Sequence, residues 1–274
     1  MVIAIKTEGQ DGFGHQLHGL FTTLILHGVN NYYFDGNQYN SNNFKFEHID
    51  ENQSNDMKDY LVESIQQFID EYQLQPKIYN KYQRCVEIYK IPENSEIDTI
   101  YIIDNVFDLT RIPGITQLQL KQCHDNINLM KRFFINKYLP PKRLCDKNIV
   151  IHVRGDDALN HLGTLIRDNN SKLCMLLEKL NFKYPDHTYY IHSDDNVDFI
   201  TQKLESLGKN YTVYDKNTHV LQVLSDFLYS SIFVGGVSSL SYVSQILGNQ
   251  ELIISPDNFN CVDIKNTIYI SDFK

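Results

Sequence analysis

Between residues 148 and 254, five short apolar runs alternate with four helical stripes, and this alternation restricts the fold more than any other feature of the chain. The runs fall at about 148–153, 188–192, 211–214, 231–235 and 251–254. The stripes are Leu173, Leu176, Leu177 and Leu180; Val197, Ile200 and Leu204; Leu221, Leu224 and Leu228; and Leu240, Val243 and Leu247. Apolar residues three or four apart share one face of a helix, whereas a short β-branched run suits a strand buried on both sides. Strands and helices in regular alternation build βαβ units and a parallel sheet. The expected class is therefore α/β.

The first half is less regular. Residues 2–6 read as a buried strand, followed by a glycine-rich loop through Gly9, Gly12 and Gly14. A helical pattern follows at Leu17, Leu20, Phe21, Leu24 and Ile25. Residues 30–55 show no period and read as loops and short strands. A helix is expected over 57–74, marked by Leu61, Ile65, Phe68 and Tyr72. A strand is expected at 100–103, and a further helix carries Leu120, Cys123, Ile127, Met130 and Phe134. Pro140-Pro141 cannot continue that helix. Residues 140–147 read as the link between two lobes, 1–143 and 144–274.

The 274 residues suffice for one large domain or two lobes. The net charge of −9, from 25 basic and 34 acidic residues, excludes general nucleic-acid binding, which needs a basic surface. A local basic pocket for one nucleotide is compatible with it. No apolar run approaches the ~20 residues of a membrane span, and Met1–Lys6 is too short for a signal-peptide core. Cys85, Cys123, Cys145, Cys174 and Cys261 are odd in number and scattered, with neither a CxxC pair nor zinc spacing. Reduced thiols and a cytoplasmic location are expected.

Ligands of α/β proteins bind outside the carboxyl ends of the strands. Four strand exits here are polar or glycine-rich. The sharpest is the run Ile149–Val153, which ends in Arg154-Gly155-Asp156-Asp157. Arg154 offers a planar fork suited to phosphate, and Gly155 permits close backbone approach. The strand Tyr189–Ile191 leads to His192-Ser193-Asp194-Asp195, and Ile232–Val234 leads to Gly235-Gly236-Val237-Ser238-Ser239. The first strand leads to Gly12-Phe13-Gly14-His15-Gln16-Leu17, on the other lobe.

Each exit has a plainer reading. Gly12-x-Gly14 is only part of a dinucleotide fingerprint, because Leu17 stands at the third glycine position and no acidic residue follows convincingly about 20 residues on. Ser238 and Ser239 suit a helix cap and equally a phosphate contact made with the amides behind them, and the two readings are compatible. Ser193 and Asp194 have the same ambiguity. A metal site at Asp194-Asp195-Asn196-Val197-Asp198 is the sharper alternative there, but this is not a calcium loop. His15 is a candidate base near neutrality, with Asp11 and His18 nearby, although a lone histidine is more often structural. His152 is expected at the strand end, orienting its neighbours.

In this order, these segments resemble the GDP-fucose-dependent fucosyltransferases of two-Rossmann-lobe (GT-B) architecture. The likeness is strongest to the α-1,2-fucosyltransferases and more distant to the O- and α-1,6-fucosyltransferases. His152–Asp157 is similar to the H-x-R-R-G-D motif, and Tyr190–Asp195 to a strand ending in S-D-D. Asp226–Ser231 followed by Val237–Ser241 resembles the helix–strand–S-S-F-S segment, and Gly12–Leu17 the G-L-G-N-Q-[ML] opening. Gly155 stands at the second Arg, Asp156 at the Gly and His15 at the Asn, and the chain has no tryptophan.

The resemblance implies a GT-B-like fold with parallel sheets facing a central cleft. It implies an inverting, metal-independent glycosyltransferase moving fucose from GDP-fucose to a glycan or protein hydroxyl. Arg154 would bind the β-phosphate and His15 would accept or position the acceptor proton. Gly12, Gly14, His152, Asp157, Ser193, Asp194, Asp195, Gly236, Ser238 and Ser239 would line the nucleotide-sugar site. The alternatives are another GDP- or UDP-linked donor, a catalytically silent nucleotide- or carbohydrate-binding relative, and a Rossmann oxidoreductase using NAD(P). No cofactor or metal is expected; the expected partners are the sugar-nucleotide donor and its acceptor.

Overall fold

A computed structural model of the chain describes residues 2–5, 12–14, 17–18, 32–33, 51–71, 81–84, 99–103, 116–155, 159–257 and 266–274. The chain divides into two units, 1–139 and 140–274. The division falls at the double proline, and Arg143, expected to close the first lobe, is held within the second unit by Asp226.

Among the described residues, the first unit contains four parallel strands, β1 (Val2–Ile5), β2 (Tyr32–Tyr33), β3 (Lys81–Arg84) and β4 (Thr99–Ile103), in the order β2-β1-β4-β3. Strand β3 has the sequence Lys-Tyr-Gln-Arg and pairs with β4 at the sheet edge. Its polar composition hides it from a search for apolar runs. Helix α1 (Glu51–Glu71) starts six residues before the expected position, so 51–55 are helical rather than loop. That polar first turn lacks a continuous apolar stripe, but Ser54 and Met57 are already buried. Helix α2 (Gln117–Phe134) opens with a capping box, in which Thr116 and Gln119 satisfy each other's backbone amides. Tyr60 of α1 donates to the Phe134 carbonyl of α2 at 2.6 Å, joining the two helices.

The second unit holds the regular alternation. Its elements are β5 (Asn148–Val153), α3 (Leu159–Lys183), β6 (Thr188–Ser193), α4 (Asp198–Ser206) and β7 (Tyr211–Tyr214), then α5 (Val220–Leu228), β8 (Ile232–Val234), α6 (Ser239–Leu247), β9 (Leu252–Ser255) and β10 (Thr267–Tyr269). The five expected strands are present, and β10 adds a sixth at the edge. All pairings are parallel, in the order β10-β9-β8-β5-β6-β7. Counted within the unit this is 6-5-4-1-2-3, the doubly wound Rossmann order.

Side-chain alternation along β5 builds a core on each face of the sheet. Ile149, Ile151 and Val153 pack with Leu173, Leu177 and Leu180 of α3 and with Ile200 and Leu204 of α4. Val150 packs on the other face with Phe227 of α5, Phe233 and Ile253. Full burial of one such leucine or isoleucine contributes about 1.5–3 kcal/mol. The chain moves outward from β5 to β6 and β7, then returns to the far side of β5 as β8. The strand order therefore reverses between β5 and β8, and in open α/β sheets the crevice beside that reversal is where ligands bind.

Among the described residues, no helix is long and apolar enough to cross a membrane. Cys123, Cys145 and Cys174 are free thiols.

Candidate functional site

The exits of β5 and β8 flank the reversal. Arg154 and Gly155 leave β5, while Gly235 to Ser239 join β8 to α6. The third exit, Asp194-Asp195, leaves β6 on the other side of β5.

The β5 and β6 exits are locked together. Arg154 donates from Nη1 to Asp194 Oδ2 at 3.0 Å, and the Gly155 amide donates to Asp194 Oδ1 at 2.8 Å. The Arg154 and Asp194 side chains are 30% and 31% exposed, so the pair stands at the protein surface. A Cβ on Gly155 would lie 2.4 Å from the Asp195 Cβ and 2.6 Å from Asp194 Oδ1. The β6 exit thus fills the space a side chain at position 155 would need, which gives a physical reason for glycine there.

The β8–α6 turn rests directly on β5. A Cβ on Gly236 would meet the His152 carbonyl oxygen at 2.6 Å, so only glycine fits without moving the backbone. The Gly236 amide donates to Ser241 Oγ at 3.0 Å, and the same hydroxyl lies 2.6 Å from His152 Nδ1. Ser241 therefore ties the turn to the strand beneath it. Ser238 caps α6 by accepting from the Leu240 amide at 3.2 Å, and Ser239 is the first helical residue. The amino end of a helix presents unpaired amides and partial positive charge toward anions.

His152 is buried below this surface. Burial, reinforced by the charges of Arg154 and His192, pushes its pKa down to about 3, so the ring is neutral. Beside it in register on β6 is His192, also buried. Its Nε2 lies 3.2 Å from Asp226 Oδ2. Burial lowers the His192 pKa even though the Asp226 carboxylate opposes the shift. Asp226 is fully buried and receives Arg143 Nη2 at 2.5 Å, Arg143 Nε at 3.0 Å and Gln222 Nε2 at 2.9 Å. Burial opposes its ionisation, but the hydrogen bonds from His192, Arg143 and Gln222 outweigh that and hold its pKa below the ordinary carboxylate value. The Arg143 guanidinium also lies over the Tyr214 ring at 3.9 Å.

Arg154, Gly155 and Asp194 meet directly, and His152, Gly236 and Ser241 meet directly. Ser193 is buried and its hydroxyl accepts from the Asp195 amide at 3.1 Å, closing a turn. The amide at the start of α4 is met instead by Asn196, whose Oδ1 accepts from Asp198 at 2.7 Å. Among the described residues no three His, Cys, Asp or Glu side chains form a group able to hold a metal ion, Asp194, Asp195 and Asp198 included.

In the first unit, Phe13 and Gly14 are helical, so Gly14 is not the loop residue it was expected to be. Phe13 is buried edge-on against Tyr60, with ring centroids 6.0 Å apart. A Cβ on Gly12 would meet nothing within 4 Å. His18 is fully buried. His15, Asp11, Asp156 and Asp157 lie outside the described residues.

Arg143 and the bridging role of Ser241 escaped the sequence reading. Asp226 did carry a signal, because it is the single charged residue in the largely apolar α5. A lone carboxylate on a buried helix implies a paired cation.

No family model and no curated protein matches the chain. Solved structures of POFUT1 do match. One in complex with GDP-fucose has a TM-score of 0.37 at 10% identity, covering 63% of this chain and 54% of its own. Another in complex with GDP has a TM-score of 0.36 at 11% identity, covering 59% of this chain and 56% of its own. The match spans about half the length of those proteins. At these scores the functional reading rests on the geometry of the site itself.

Proposed function

We propose that the chain is a glycosyltransferase that binds a nucleotide-sugar donor at the β5/β8 reversal, with GDP-fucose the favoured donor. The observation that carries this is the placement of Arg154 and the Gly236–Ser239 turn on adjacent strand exits at the reversal of a Rossmann-ordered sheet. A guanidinium on one side and helix amides on the other suit a diphosphate. The choice of GDP-fucose rests on the motif resemblance of His152–Asp157, Tyr190–Asp195 and Val237–Ser241.

In this reading, negative charge grows on the departing diphosphate as the donor C1 gains oxocarbenium character. Arg154 stabilises that charge, which is how a preorganised donor accelerates a reaction. His152, neutral and bound to Ser241, supports the β8–α6 turn from below instead of touching the donor. The transfer is inverting and proceeds without a metal, with His15 accepting or positioning the acceptor proton. The acceptor is a glycan or protein hydroxyl, and the compartment is the cytoplasm.

The test is sugar transfer by purified protein before and after Arg154→Ala. The expected loss is about 3–4 kcal/mol of transition-state stabilisation, roughly a hundred- to thousand-fold in rate. Undiminished turnover in a folded variant removes Arg154 from the chemistry. A chain that binds GDP yet transfers no sugar would instead be a silent binding relative.

A further inference from the structure

The donors that a phosphoryl group would take from the β5 exit are already engaged by a carboxylate. Asp194 Oδ2 accepts from the Arg154 guanidinium at 3.0 Å and Asp194 Oδ1 from the Gly155 amide at 2.8 Å. The carboxylate presents two oxygens, one to the arginine N–H and one to the main-chain N–H, as one edge of a phosphate would. With both side chains about one-third exposed, the pair can open to solvent at little cost, because water screens and replaces its attraction. Gly155 is buried against Asp194 and Asp195, so the carboxylate approaches the amide with no side chain between them.

We propose that Asp194 is an exchangeable stand-in for phosphate that makes this site selective for polyanions. It rests on the reading of the β5 exit as a diphosphate site and adds a rule for which anions enter it. A ligand must displace one carboxylate charge from two donors. Pyrophosphate or a nucleoside diphosphate brings more charge and more acceptor oxygens than the carboxylate it replaces. A singly charged ligand brings no advantage and stays out. Displaced, Asp194 turns to solvent and Arg154 passes to the phosphate.

The probe is inorganic pyrophosphate, titrated calorimetrically into the intact chain and into Asp194→Asn. Asparagine keeps the shape and still accepts from the Gly155 amide, but it lacks the charge. Asp186→Asn is the control, with the same change in net charge at the amino end of β6, where Asp186 lies 3.5 Å from Lys147. Asp194→Asn is expected to bind pyrophosphate about fivefold tighter than Asp186→Asn does. Equal affinity overturns the proposal, as does the absence of pyrophosphate binding in every form. Weaker binding overturns it too, and makes Asp194 a brace for Arg154.

A second readout needs no variant. In the unmodified protein, pyrophosphate must move the Gly155 amide resonance and the Asp194 carboxyl carbon together. An amide that moves while the carboxyl carbon stays still also overturns exchange. Using pyrophosphate separates the two proposals. Release of Asp194 by pyrophosphate without GDP binding sinks the nucleotide reading alone, and GDP binding with an unmoved Asp194 sinks exchange alone.

Discussion

The two faces of the six-stranded sheet are built from different chemistry. Against α3 and α4 the sheet packs an aliphatic layer of Ile149, Ile151, Val153, Leu173, Leu177 and Leu180. Against α5 and α6 it buries His152, His192, Asp226 and Ser241 beside Phe227. Buried polar groups cost stability unless they are paired, so a face built this way must have its partners in place. The aliphatic face holds the sheet together, while the polar face connects the sheet to its carboxyl edge. His152 reaches the β8–α6 turn through Ser241, and His192 directly precedes the Ser193-Asp194 exit.

The largest effect is expected on the aliphatic face. Leu177→Ala is expected to destabilise the protein by about 2–5 kcal/mol, through lost burial and the cavity left behind. Urea unfolding should give the same penalty at pH 7 and pH 5, since no titrating group is touched. A strongly pH-dependent penalty would mean that the two faces are not independent.

Asp226→Asn probes the polar face. Removing one partner of a buried pair costs about 3–5 kcal/mol, but Arg143 is 34% exposed and can recover solvent, so about 2 kcal/mol is expected. The same unfolding experiment reads it. A neutral result would show that Arg143 and His192 need no carboxylate between them.

The pH response is the subtlest difference. The unfolded His152 titrates near 6.5, whereas its native pKa is about 3. Between these values the unfolded chain binds more protons, so stability falls as the pH drops below 6.5. From pH 7 to pH 5 the loss is about 2 kcal/mol. His192 shifts in the same direction and adds to it. His152→Asn should flatten the slope; an unchanged slope would assign acid sensitivity elsewhere.

Strands β5, β8 and β9 were legible in the sequence because they are buried and read as apolar runs, and β7 because Tyr211–Tyr214 is made of strand-favouring residues although it lies partly exposed at the sheet edge. Strands β3 and β10 were not, since Lys81–Arg84 is polar and Thr267–Tyr269 is only three residues long. The β5 and β8 exits were legible because arginine, glycine and serine directly follow apolar strands. The supporting network was less so. Arg143 and Asp226 stand 83 residues apart, and His152 and Ser241 stand 89 apart, so only folding brings each pair together. The same is true of Gly155, whose necessity comes from Asp195, a residue on another strand exit.

In the proposed function the β5/β8 reversal is a nucleotide-diphosphate site with Arg154 as its charged anchor. Calorimetric titration of GDP into the unmodified chain and into Arg154→Ala tests this directly. The account predicts saturable binding that weakens at least about tenfold in the variant, consistent with loss of a charge-assisted hydrogen bond, at an unchanged unfolding midpoint. Absence of GDP binding, or equal binding by both proteins, would contradict it.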